Sequence, residues 1–66
     1  MNVVINGTAT ELDAHTTLKS VVGKVANDQR GVAAAVNGEV VPRHLWDTTE
    51  LAVGDKVEIL SAIGGG

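Results

Sequence analysis

Three glycines close the sequence, Gly64, Gly65 and Gly66, and their type and position carry the clearest chemistry in the chain. Glycine makes up about 7% of average sequences, so three in a row at a fixed place arise by chance roughly three times in ten thousand. A segment without Cβ atoms can thread a narrow channel and adopt any φ. It also leaves the carboxylate of Gly66 unhindered. A carboxylate alone is a poor acyl donor, but joined to AMP by a partner that spends ATP it becomes a reactive acyl group. The bland alternative is a frayed, functionless end, common among termini. Against it stands a well-patterned strand that runs almost directly into the glycines, with only Ser61-Ala62-Ile63 between.

Other routes to chemistry are poorly supplied. There is no cysteine, which removes disulfides, zinc–thiolate sites and any thiol nucleophile. His15 and His44 have no cysteine partner and no paired spacing such as HxxxH, so they read as solvated loop residues rather than zinc ligands or catalysts. Phosphate loops need a helix after their glycines to supply N–H donors, and here nothing follows the glycine run. The carboxylates of Glu11, Asp13, Asp28, Glu39, Asp47, Glu50, Asp55 and Glu58 are spread along the chain and read as a solvated surface. The expectation is a protein that is not an enzyme, binds no metal or cofactor of its own, and leaves ATP to its partner.

The elements that must hold the glycines come from a chain of 66 residues, enough for one small domain. With 44% hydrophobic and 20% charged residues it is too apolar to be disordered. Its net charge of -3, and a single aromatic residue, Trp46, exclude a nucleic-acid module, which needs basic side chains for phosphates and usually aromatics for bases. No apolar run approaches the ~20 residues that span a bilayer. MNVVING lacks the basic start and apolar stretch of a signal peptide, so the cytoplasm is the expected location.

Met1 to Ile5 and Thr8 to Leu12 read as strands joined by Asn6-Gly7, a dipeptide suited to a two-residue type I′ turn. Thr16 or Thr17 can cap a helix whose apolar stripe is Leu18, Val21, Val22, Val25 and Ala26, with Gly23 as its weak point. Asn27 to Gly31 is the exit loop. Val32 to Val36 and Glu39 to Val41 form a second hairpin around Asn37-Gly38, ended by Pro42. A helical turn over Arg43 to Asp47, an extended piece over Thr48 to Leu51 and a turn at Val53-Gly54-Asp55 lead to a last strand, Lys56 to Ser61. This order predicts an α+β fold, a ubiquitin-like β-grasp in which one amphipathic helix packs on one face of a mixed sheet and the first and last strands are neighbours. Residues 1–63 would form the domain and residues 64–66 its flexible tail.

From Val36 onward the run VNGEVVPRHLWDTTELAVGDKVEILSAIGGG resembles the thiamine-biosynthesis sulfur carriers, the ThiS family, and the likeness extends over essentially the whole chain. The glycine tail alone is shared with ubiquitin-like proteins generally; Val41, Pro42, Arg43 and Trp46, in a chain this short, make the resemblance specific. It implies that an E1-like adenylating enzyme activates the Gly66 carboxylate with ATP. Sulfur from a cysteine-desulfurase persulfide then replaces one oxygen, and the thiocarboxylate serves thiazole synthase. Many relatives end in two glycines, and this chain departs from them with three; Gly66 is the expected attachment point, with Gly64 and Gly65 as its approach. Two rivals share the tail: the small subunit of molybdopterin synthase, and a ubiquitin-like modifier that forms isopeptide bonds. A third alternative is an interaction module with an inert tail.

Alternation along the strands also predicts a docking patch. With Val57 and Ile59 facing the core, Leu60 points away, as do Val4 on the first strand and Ala33 and Ala35 on the third. These four, with Ile63 beside the tail, form the expected surface for both partner enzymes, the free carrier being a monomer. Trp46 is expected to cap the edge of the core, Arg43 to stay solvated or meet an acidic partner, and the acidic residues to steer the carrier toward basic grooves.

Overall fold

The computed structural model describes residues 1–26 and 31–61. The first hairpin pairs β1 (Asn2–Ile5) antiparallel with β2 (Thr8–Glu11). Asn6 and Gly7 between them have φ of 49° and 83°, the two positive values that a type I′ turn requires. The second hairpin repeats the device: β3 (Val32–Val36) and β4 (Glu39–Val40) flank Asn37 and Gly38, at 52° and 85°. Val41 already lies outside the strand, although its N–H still donates to the Ala34 carbonyl at 2.9 Å.

The helix α1 (Leu18–Val25) is capped by Thr17, whose hydroxyl accepts from the Ser20 N–H at 3.3 Å. Thr16 is turned elsewhere and donates to the Asp13 carbonyl at 2.6 Å. Leu18, Val21 and Val22 are buried, but the apolar stripe stops there. Val25 is half exposed and Ala26 has left the helix, with φ of -129° and ψ of 113°. A run of Val21, Val22, Gly23 and Val25 has low intrinsic helix propensity, so packing sustains only the part that faces the sheet. The exit loop expected over Asn27 to Gly31 falls mostly outside the described residues; Gly31 itself has φ of 69°.

Pro42 leads into a 3-10 turn over Arg43–Leu45, shorter than the helical turn expected to reach Asp47. In the stretch read as extended, only Glu50 makes a bridge, to Thr17. β5 (Lys56–Ser61) then completes the structure.

Among the described residues the strands form one sheet in the order β2-β1-β5-β3-β4. β5 is central, parallel to β1 and antiparallel to β3, so the first and last strands are neighbours as the pattern predicted. The helix contributes Leu18, Val21 and Val22 to a core that also takes Val3, Leu12, Ala34, Trp46, Leu51, Val57 and Ile59. Each fully buried aliphatic side chain contributes about 1.5–3 kcal/mol. Trp46 does more than cap an edge. It is the largest of the fully buried side chains, and its Nε1–H donates to the Val41 carbonyl at 2.8 Å, which satisfies the polar end of the ring. Among the described residues no polar or charged side chain is buried, and no helix is long and apolar enough to cross a membrane.

Candidate functional site

The glycines follow β5, the central strand of the sheet. Val57 and Ile59 anchor it in the core while Lys56, Glu58 and Leu60 alternate onto the open face of the sheet. Pairing register settles what surrounds them. Ala33 lies beside Leu60, and Ala35 lies between Glu58 on β5 and Val40 on β4. Leu60 is 70% exposed and Val40 75% exposed. Together with Ala33, Ala34, Ala35 and Glu58 they line a shallow depression of about 230 Å³.

Val4 is not part of it. It is half-buried and pairs with Lys56, at the opposite end of β5 from Leu60. Leu60 is four residue steps beyond Lys56, about 13 Å along the strand, and Lys56 and Glu58 project along that interval. The structure therefore gathers Ala33, Ala35 and Leu60, separates Val4, and adds Val40. The two-residue turn at Asn37-Gly38 sets Val40 opposite Ala35, a register readable from the turn length. Ile63, Gly64, Gly65 and Gly66 lie outside the described residues, as does the boundary expected between residues 63 and 64.

A second concavity, about 290 Å³, sits where the 3-10 turn meets the start of α1 and is lined by Lys19, Arg43, His44, Trp46 and Asp47. The Arg43 guanidinium lies 5.9 Å from the Trp46 ring centre, within the range of a cation–π contact. The two histidines are far apart in role: His44 lines this concavity, whereas His15 has φ of 67° and places Nδ1 3.0 Å from Glu50 Oε1, both groups exposed. Among the described residues no three His, Cys, Asp or Glu side chains gather as metal ligands.

One helix laid across a mixed sheet, with the first and last strands side by side at its centre and glycines after the central strand, defines a small ubiquitin-like β-grasp protein. The model of the ThiS family matches residues 3–66, from the first strand through the last glycine. The chain belongs to the ThiS family. It is 29% identical over 66 residues to the sulfur carrier protein ThiS of Escherichia coli (strain K12), with the whole of both chains covered. It is 38% identical over 66 residues to a thiazole synthase of Paramagnetospirillum magneticum (strain ATCC 700264 / AMB-1), and spans 20% of that longer protein. The crystal structure of the thiamine biosynthesis protein ThiS from Geobacter metallireducens superposes with a TM-score of 0.78 at 33% identity, covering all of both chains. A solution structure of a thiamine biosynthesis protein from the same organism gives 0.76 at 32% identity, covering all of this chain and 88% of that one.

Proposed function

We propose that this chain carries sulfur for thiamine biosynthesis on a thiocarboxylate formed at Gly66 and performs no catalysis itself. The observation that carries this reading is the family match, which runs unbroken into the glycines. An E1-like partner binds ATP and joins AMP to the Gly66 carboxylate, releasing pyrophosphate. The terminal sulfur of a cysteine-desulfurase persulfide attacks the acyl carbon and AMP leaves. A thiol then attacks the sulfur on the enzyme side of the new acyl disulfide, forms an enzyme disulfide and frees the thiocarboxylate.

Thiazole synthase is the acceptor. The solved structures named above are of thiamine biosynthesis proteins, and a region like this chain lies within a thiazole synthase, which favours thiazole over molybdopterin as the destination. The depression around Leu60 serves as the docking surface, Gly64 and Gly65 form the approach, and the carrier works in the cytoplasm as a monomer when free.

Intact mass spectrometry after incubation with the adenylating enzyme, ATP, a cysteine desulfurase, cysteine and a thiol tests the reading. The expected product has sulfur in place of one oxygen, is trapped by thiol alkylation and maps to Gly66. Oxidation of Met1 gives the same nominal mass and is excluded by the alkylation step. A chain lacking Gly65 and Gly66 is expected to stay unmodified. An unmodified full chain, beside an enzyme competent on its own carrier, would falsify the proposal; stable lysine conjugates in lysate would turn it toward a protein modifier.

A further inference from the structure

We propose that Asn6 is a positioning residue for the glycine segment, acting through a side-chain clamp on Ile59 of the central strand; this rests on the sulfur-carrier reading. β1 runs parallel to β5 only as far as Ile5 beside Val57 and then turns away into β2. The Asn6 backbone makes the last ladder bond, its N–H donating to the Val57 carbonyl at 2.9 Å. Beyond that point the Asn6 side chain continues the ladder in place of a strand. Its Oδ1 accepts from the Ile59 N–H at 2.8 Å and its Nδ2 donates to the Ile59 carbonyl at 3.2 Å. One amide side chain thus satisfies both backbone groups of a residue 53 positions away.

The second turn supplies a matched contrast. Asn37 has nearly the same backbone conformation and also grips β5 with its side chain, but at the strand's other end. Its N–H donates to the Lys56 carbonyl at 2.8 Å, its Oδ1 accepts from the Lys56 N–H at 3.0 Å, and its Nδ2 donates to Asp55 Oδ1 at 3.0 Å. Both side chains hold the strand. Only Asn6 holds it at Ile59, five residues before Gly64 in the sequence, and so fixes the end of β5 that leads toward the reacting segment. Misplacing a reacting group by about 1 Å can cost about 100-fold in rate.

Asn6→Gly and Asn37→Gly test this directly. Glycine accepts both positive φ values, so each turn survives while its clamp is lost. Steady-state adenylation of each variant by the E1-like enzyme is expected to show a kcat about tenfold lower for Asn6→Gly with KM within about twofold. Asn37→Gly is expected to keep both constants within about twofold of the parent. Asn6→Asp, which retains the acceptor for the Ile59 N–H, should recover part of the kcat loss. Amide hydrogen exchange should speed up at Ile59 in Asn6→Gly and at Lys56 in Asn37→Gly. An equal kcat loss in the two variants, or a loss confined to KM, overturns the inference alone. A parent chain that the competent enzyme never adenylates overturns the sulfur-carrier reading and the inference with it, while the exchange contrast between the two turns would still stand.

Discussion

Toward the helix the sheet presents Val3, Ala34, Val57 and Ile59, all buried; away from it the sheet presents Val4, Ala33, Ala35, Val40 and Leu60, none of them fully buried. The two faces draw on the same small set of aliphatic residues, so composition does not tell them apart. Parity does. Along β5, Val57 and Ile59 alternate with Lys56, Glu58 and Leu60, and a slip of one residue would exchange the two sets. The charged pair marks which face meets water, and the alanines keep that face low enough for another protein to come close to the backbone. One face carries the stability of the domain; the other is the surface proposed for docking.

The strongest way to break that division is through the core. Leu18→Ala, in the helix directly over the sheet, should lower stability by about 2–5 kcal/mol, read as a fall in the urea midpoint. Trp46→Phe should cost about 1–3 kcal/mol, because the Val41 carbonyl loses its donor, and the shift in midpoint should be smaller than for Leu18→Ala. On the open face, Leu60→Asp should change stability by no more than about 1 kcal/mol while kcat/KM for adenylation falls about tenfold. A folded Leu60→Asp with unchanged activation would show that the open face is not a docking surface. The smallest effect belongs to Glu50→Gln, which removes the exposed partner of His15 and should move stability by less than about 0.5 kcal/mol at any salt concentration.

What could be read in advance was whatever local backbone chemistry decides. Asn-Gly demands positive φ at two successive positions, so both hairpins were legible, and strict alternation made β5 legible, with Leu60 facing outward. The parallel register of β1 on β5 is set by no turn, which is why Val4 was placed beside Leu60 when it belongs beside Lys56. The depth of Trp46 depends on how the 3-10 turn folds back under the helix, where the Lys19 backbone N–H donates to the Trp46 carbonyl at 3.1 Å. The asparagine side chains were the least visible. Their part in the turns accounted for the residue type, so nothing in the pattern hinted that they also bond across the sheet. For the site itself, residue type singled out Gly64 to Gly66, whereas the surface around Leu60 became definite only with the pairing of β3, β4 and β5.

Because β5 sits in the middle of the sheet and comes after the other described strands in the chain, neither β1 nor β3 has its central partner until residues 56–61 have been translated. A nascent chain holds two hairpins and a helix with nothing to join them, and pairings such as Val4 with Lys56 close nearly the whole length of the polypeptide, a kind of contact that forms slowly. The strand that completes the sheet is also the one that leads into the glycines. A translation product interrupted before β5 therefore lacks the sheet's central strand and the proposed sulfur attachment residue together.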